Sequence, residues 1–243
     1  MRPKIVFVHG AWHGAWCWEA VQQRLAACGI ESVAVDLPGH GDDARELTDL
    51  HGDADSVRSL LDGEPENSVV LVGHSYGGAV ITDAGAHPAV RELVYVTAYA
   101  LDDDESLVGA AVEEAEAHGV PAVAPALLEG MTIHDNGTST LSDAVVADSL
   151  YNECDEATQR WAIQHVGAQS LSISTQSPRA IAWRTIRSTY IVCEQDRAIL
   201  PAFQRILASR CTDVVALSAD HSPFASAPDA LTDLLVGIVD RSA

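Results

Sequence analysis

Six short apolar runs rich in β-branched residues, at 5–8, 32–35, 69–72, 93–97, 189–193 and 214–217, recur along the chain with helix-length segments between them. Runs this short and this continuously apolar suit strands buried on both faces, and the long spacers allow the crossover that parallel strands require. The expected class is α/β: a mostly parallel sheet of about six strands with helices on both faces. Three helices are marked by their ends. They are residues 16–27 before Gly29, 78–86 before Pro88, and 228–239 with a proline at the start.

The rhythm stops between residues 101 and 186, where acidic, alanine-rich pieces such as 106–118 and 156–166 replace the strand-helix repeat. We read residues 1–100 and 187–243 as one core and 101–186 as an inserted helical cap. An insertion over the carboxyl edge of a parallel sheet is expected to roof a binding pocket.

With 243 residues the chain is long enough to bury one core without a disulfide or metal. Its five cysteines, Cys17, Cys28, Cys154, Cys193 and Cys211, are odd in number and form no CxxC pair, so reduced thiols are expected. The formal net charge of -21 argues against a partner held by its negative charge, whether nucleic acid or an anionic membrane. The start of the chain enters an apolar strand with no pattern of an export signal, and no run approaches a membrane span, so a cytoplasmic location is expected. A homodimer is compatible with this reading.

The chemistry is concentrated in Gly73, His74, Ser75, Tyr76 and Gly77, a G-x-S-x-G run between a strand and a small-residue helix. A tight strand-to-helix turn holds a serine hydroxyl clear of the sheet, and small neighbours are needed because the backbone is strained there. Ser75 is the expected nucleophile. His9, Gly10, Ala11 and Trp12 follow the first strand, and their loop supplies the backbone N–H of Ala11, which with that of Tyr76 makes a pair of oxyanion donors. His9 and His13 are four apart, but the glycines at 10 and 14 speak against a helix that would pair them on a metal. No metal and no cofactor is expected.

A hydroxyl becomes a nucleophile when a base takes its proton, and the base needs a carboxylate to orient it. His221 lies in the loop after the last strand, and Asp196 in the loop after the strand at 189–193, which gives the chain order Ser, Asp, His. Glu194, Asp102 and Asp103, and Asp220 are the competing acids. Trp12 and Tyr99 from the core loops, and Leu150 and Trp161 from the insertion, are read as the lining of an apolar pocket; ordinary core packing is the alternative for each, and the preferred one for Leu150 and Trp161.

These motifs resemble the small α/β-hydrolases that include plant methyl-ester hydrolases, hydroxynitrile lyases and bacterial esterase relatives. The resemblance rests on residues 8–16, the run Asp36, Leu37, Pro38, Gly39, His40, Gly41, residues 73–78, Leu150, Tyr151 and Cys154, residues 193–196, and His221. It implies the α/β-hydrolase fold and a Ser75, Asp196, His221 triad with Ala11 and Tyr76 as oxyanion donors. The lyase branch carries a lysine after the histidine and a threonine in the first oxyanion loop, where this chain has Ser222 and Gly10. The expected activity is hydrolysis of a small, uncharged ester or lactone through an acyl-enzyme. A lyase or carbon–carbon bond-cleaving enzyme on the same triad, and a ligand sensor of slow turnover, are the alternatives.

Overall fold

A computed structural model of the protein describes residues 2–109, 113, 115, 117 and 119–242. Its main sheet is built from β1 (Lys4–Val8), β2 (Ser32–Val35), β3 (Val69–His74), β4 (Val90–Val96), β8 (Ser188–Cys193) and β9 (Asp213–Leu217), in the order β2-β1-β3-β4-β8-β9. All neighbouring pairs are parallel. The six apolar runs are these six strands.

The pleat divides the strand side chains between two cores. Val6, Val8, Val69, Leu71, Leu93 and Tyr95 face one side, and meet α2 (Leu50–Leu61), α3 (Gly77–Ala84) and the helix Pro201–Ala208. Ile5, Phe7, Val70, Val72, Val94 and Val96 face the other, and meet α1 (Glu19–Ala27) and the helix Pro228–Arg241. Burial on both faces explains why these strands are continuously apolar. The five cysteines are unpaired.

Between β4 and β8 the chain leaves the main sheet. Beside the helix Glu156–His165 it forms a three-stranded antiparallel sheet of β5 (Met131–Ile133), β6 (Thr138–Leu141) and β7 (Gln169–Ser170). The segment is therefore not wholly helical as expected. Its strands are short and partly exposed, so they carry neither the apolar run nor the clean alternation by which a strand is recognised. Of the expected helix at 106–118, residues 113, 115 and 117 are helical; 110–112, 114, 116 and 118 lie outside the described residues.

The topology fixes where chemistry can sit. From β1 the chain moves outward to β2 and then returns to β3 on the other side, so the loops leaving β1 and β3 diverge at a switch point. Open parallel sheets bind ligands in the crevice at such a point, beyond the carboxyl ends of the strands.

Candidate active site

Ser75 stands between the end of β3 and the start of α3, with φ 53°, a left-handed conformation that a serine rarely adopts. Strain of this kind costs about 1–3 kcal/mol and persists only where the surroundings impose it. Here Ser75 N–H donates to Val96 O at 3.3 Å, and Ser75 O accepts from Gly78 N–H at 3.0 Å. Gly77 is required by close approach: a Cβ there would lie 2.6 Å from the carbonyl oxygens of both Val8 and His9. Ser75 Oγ has no hydrogen-bond partner among the described residues.

The loop after β1 packs against this turn. A Cβ on Gly10 would lie 2.8 Å from Ser75 Cβ and from His74 Nδ1. His9 Nδ1–H donates to Gly10 O at 2.8 Å and its Nε2 accepts from Leu37 N–H at 3.1 Å. His13 Nδ1–H donates to Ala11 O, and its Nε2 accepts from the Tyr151 hydroxyl, both at 2.9 Å. Both nitrogens of each ring are thus used within the protein. Burial holds His13 down to about 4 and holds His9 and His74 well below the ordinary histidine value, so all three are neutral near pH 7. The N–H groups of Ala11 and Tyr76 donate to no described residue, although both residues are buried.

His221 follows β9 and Asp196 follows β8, and the two meet: His221 Nδ1–H donates to Asp196 Oδ2 at 2.8 Å. Asp196 accepts five hydrogen bonds from the described residues. Thr97 Oγ1 and Gln204 Nε2 (3.0 Å) share Oδ2 with the histidine, and the amides of Ala198 (2.7 Å) and Ile199 (3.0 Å) reach Oδ1. His74 Nε2–H donates to His221 O at 2.7 Å and so holds the histidine's backbone from the serine's turn.

The competing acids are engaged elsewhere. Glu194 pairs with Arg205 at 2.6 Å, and Asp102 pairs with Arg184. Asp220 turns away from its neighbour's ring: its Oδ1 accepts from Ser222 N–H (2.9 Å) and Ser226 Oγ (2.6 Å), and its Oδ2 from Glu153 N–H at 2.9 Å. The segment 151–153 thereby touches three loops of the core, since Tyr151 meets His13, Asn152 Nδ2 donates to Gln195 O at 3.2 Å, and Glu153 meets Asp220.

Ser75, His221, Ala11 and Tyr76 border one cavity of about 130 Å³, together with Trp12, Tyr99, Leu150, Met131 and Ile199. No lysine, arginine, aspartate or glutamate is among its described lining residues. Of the aromatic residues expected there, Trp161 is absent from that lining. Its indole stacks outside, edge-on to Trp16 at 4.9 Å and beside His165 at 4.6 Å, and stays 36% exposed. Its place in a helix four residues before His165 puts both side chains on the same outer face.

Sequence reasoning did not find the supports of this site. Gln204 and Thr97 reach Asp196 from other elements, and His74 carried a signal only as the serine's neighbour.

A parallel sheet with helices on both faces, and a left-handed serine between its third strand and the helix that follows, defines the α/β class of architecture. The chain belongs to the alpha/beta hydrolase family, whose model matches residues 5–234. The alpha/beta hydrolase nvfD of Aspergillus novofumigatus is 30% identical over 251 residues, covering 97% of this chain and 96% of its own. Methylesterase 9 of Arabidopsis thaliana is 29% identical over 265 residues, covering 97% of this chain and 98% of its own. Among solved structures, polyneuridine aldehyde esterase shares the fold with a TM-score of 0.82 at 21% identity, covering 98% of this chain and 99% of its own.

Proposed function

We propose that the protein is a serine esterase that hydrolyses a small, uncharged carboxylic ester or lactone through an acyl-enzyme. The observation that carries this reading is the Asp196–His221 hydrogen bond at the edge of the cavity that Ser75 also borders. With Nδ1–H directed to Asp196, the free Nε2 of His221 is the basic nitrogen.

In this reading Ser75 Oγ attacks the carbonyl carbon and its proton passes to His221 Nε2. The carbonyl oxygen takes the negative charge, and the unpartnered amides of Ala11 and Tyr76 are the donors that meet it. Collapse breaks the ester C–O bond, and the imidazolium gives its proton to the departing alkoxide. Water, deprotonated by the same nitrogen, then attacks the acyl carbon; collapse breaks the bond to Ser75 Oγ, the imidazolium returns its proton to that oxygen, and the acid is released.

Substrate size and charge follow from the lining. The cavity is close to the roughly 150 Å³ that holds a benzene ring, and an apolar wall without charged side chains favours neutral substrates. The methylesterase and esterase names among the relatives support the same class. The segment between β4 and β8 supplies Met131 and Leu150 to this wall, in keeping with a cap.

The test is a panel of small aryl and methyl esters and lactones with the intact protein and Ser75→Ala, together with labelling by a fluorophosphonate. Turnover should fall on the order of a millionfold in the variant. The label should map to Ser75 by peptide mass spectrometry. A label on another residue, or undiminished turnover in Ser75→Ala, overturns the mechanism.

A further inference from the structure

Trp12 is held in the left-handed region, at φ 62°, by three hydrogen bonds that all come from the segment between β4 and β8. Its backbone N–H donates to Gln169 Oε1 at 3.3 Å, its indole Nε1–H donates to Ser139 Oγ at 3.2 Å, and its carbonyl accepts from Gly167 N–H at 2.8 Å. Ser139 and Gln169 are partners across the β6-β7 pair, so one cross-strand pair of the small sheet grips one residue of the main-sheet loop. Both are buried, at 1% and 2% exposure.

The orientation of the Gln169 amide is set by chemistry. Trp12 N–H is only a donor, so the oxygen must face it; the same oxygen lies 3.0 Å from His40 Nε2, on a ring whose Nδ1 faces Pro38 O at 3.1 Å. Gln169 Nε2 is buried without a partner among the described residues. A buried unsatisfied donor costs about 1–3 kcal/mol, so the amide's useful atom here is its oxygen.

Two peptide planes connect this grip to the candidate oxyanion site. In the plane joining Ala11 to Trp12, Ala11 O is held by His13 and Trp12 N–H by Gln169. In the plane joining Gly10 to Ala11, Gly10 O is held by His9 Nδ1–H at 2.8 Å and by His13 N–H at 3.3 Å. The one polar group left over in these two planes is Ala11 N–H.

We infer that Gln169 is a positioning residue for the oxyanion loop: the small sheet, through Gln169 and with Ser139, holds Trp12 left-handed and so directs Ala11 N–H into the cavity. This rests on the reading of Ala11 as an oxyanion donor. Gln169 and Ser139 also border the cavity, but both are buried and the Gln169 oxygen is taken up by Trp12, so the loss of Gln169 should fall on the transition state and leave substrate affinity alone. A misplaced donor loses part of the hundred- to thousandfold that a donor contributes.

The test compares Gln169→Leu, which removes the acceptor, with Gln169→Glu, which keeps an oxygen toward Trp12 N–H. Hydrolysis of p-nitrophenyl acetate by Gln169→Leu should show kcat lowered about ten- to a hundredfold with KM within about twofold. Inhibition by a trifluoromethyl ketone, which mimics the oxyanion, should weaken by the same factor as kcat/KM, and Gln169→Glu should recover most of both. Ser139→Ala, a milder cut, serves if Gln169→Leu does not fold, and should show the same pattern in smaller measure.

A loss confined to KM would mean that Gln169 touches substrate directly, and it overturns the positioning role. So does an unchanged kcat in folded Gln169→Leu, or an equal loss in both Gln169 variants. If the unmodified protein shows no Ser75-dependent hydrolysis, the esterase reading is what fails. The grip is then judged by amide hydrogen exchange of Trp12, which should accelerate at least tenfold in Gln169→Leu; unchanged exchange overturns the inference.

Discussion

Gln204, the fourth residue of the helix Pro201–Ala208, donates to the same oxygen of Asp196 that receives the His221 ring proton, at 3.0 Å against 2.8 Å. Every group that meets this carboxylate is a donor, on both oxygens.

That uniformity predicts the effect of Asp196→Asn. In either orientation the new amide sets an NH₂ against donors, either His221 with Gln204 and Thr97, or the amides of Ala198 and Ile199. Backbone N–H groups can never accept, whereas the Thr97 hydroxyl and the imidazole can, so the NH₂ is driven toward His221; the histidine then loses its tautomer, and kcat for p-nitrophenyl acetate should fall on the order of ten-thousandfold. Urea denaturation should show a further cost of about 1–3 kcal/mol from the unsatisfied contacts. A variant that keeps near-native kcat would remove Asp196 from the mechanism.

The site's three buried histidines make stability depend on mild acid. His9, His13 and His74 are all depressed by burial, His13 to about 4, against about 6.5 in an unfolded chain. The stability gained by keeping them neutral is complete above about pH 6.5 and is lost as pH falls toward the folded values. Unfolding between pH 6.5 and 5 should therefore take up protons, with each histidine adding a slope of up to about 1.4 kcal/mol per pH unit. Asp53 and Asp220, raised by burial, act in the opposite sense nearer the carboxylate range, so the comparison belongs between pH 7 and 5. Urea midpoints across that range should fall steadily, and His13→Gln should flatten the slope by about one proton. An unaltered slope in that variant rules out the buried neutral ring as the cause.

Two glycines give a paired test of the turn. Gly77→Ala forces a Cβ against two backbone carbonyl oxygens and should destabilise by about 3 kcal/mol, the upper end of overpacking. Gly237, in the exposed face of the helix Pro228–Arg241, has nothing within 4 Å of an added Cβ. There alanine should stabilise by about 0.5–1 kcal/mol. Thermal denaturation of both variants checks the two signs together.

Ser222, fully buried and next to His221, replaces the cation that a departing cyanide would need. No lysine or arginine is among the described residues of the cavity wall. The protein should hydrolyse small neutral esters and release no cyanide from mandelonitrile above the uncatalysed rate. Cyanide release faster than hydrolysis of every ester tried would place it in the lyase branch.

The main sheet was legible in the sequence because its strands are buried on both faces, and an apolar run such as residues 69–72 admits few other readings. The serine turn was legible because its glycines answer a local demand for space. Helix α2 was harder: its buried stripe, Leu50, Asp53, Ala54, Val57 and Leu61, is interrupted by an aspartate that is inside only because Tyr76 and Thr48 donate to it. Gln169 could not be found from sequence, since its neighbours in space, Trp12 and Ser139, lie 157 and 30 positions away, and nothing local marks a two-residue strand.

The bridge made by residues 151–153 sets a rule for redesign. Tyr151 binds the loop after β1, Asn152 the loop after β8, and Glu153 the loop after β9. A graft that exchanges the whole segment between β4 and β8 with that of a relative also exchanges the fastener that joins three loops of the main sheet. Chimeras cut on either side of that tripeptide, leaving it with its native loops, should keep their fold at this edge of the sheet; chimeras that carry a foreign tripeptide inherit a mismatch in all three loops at once.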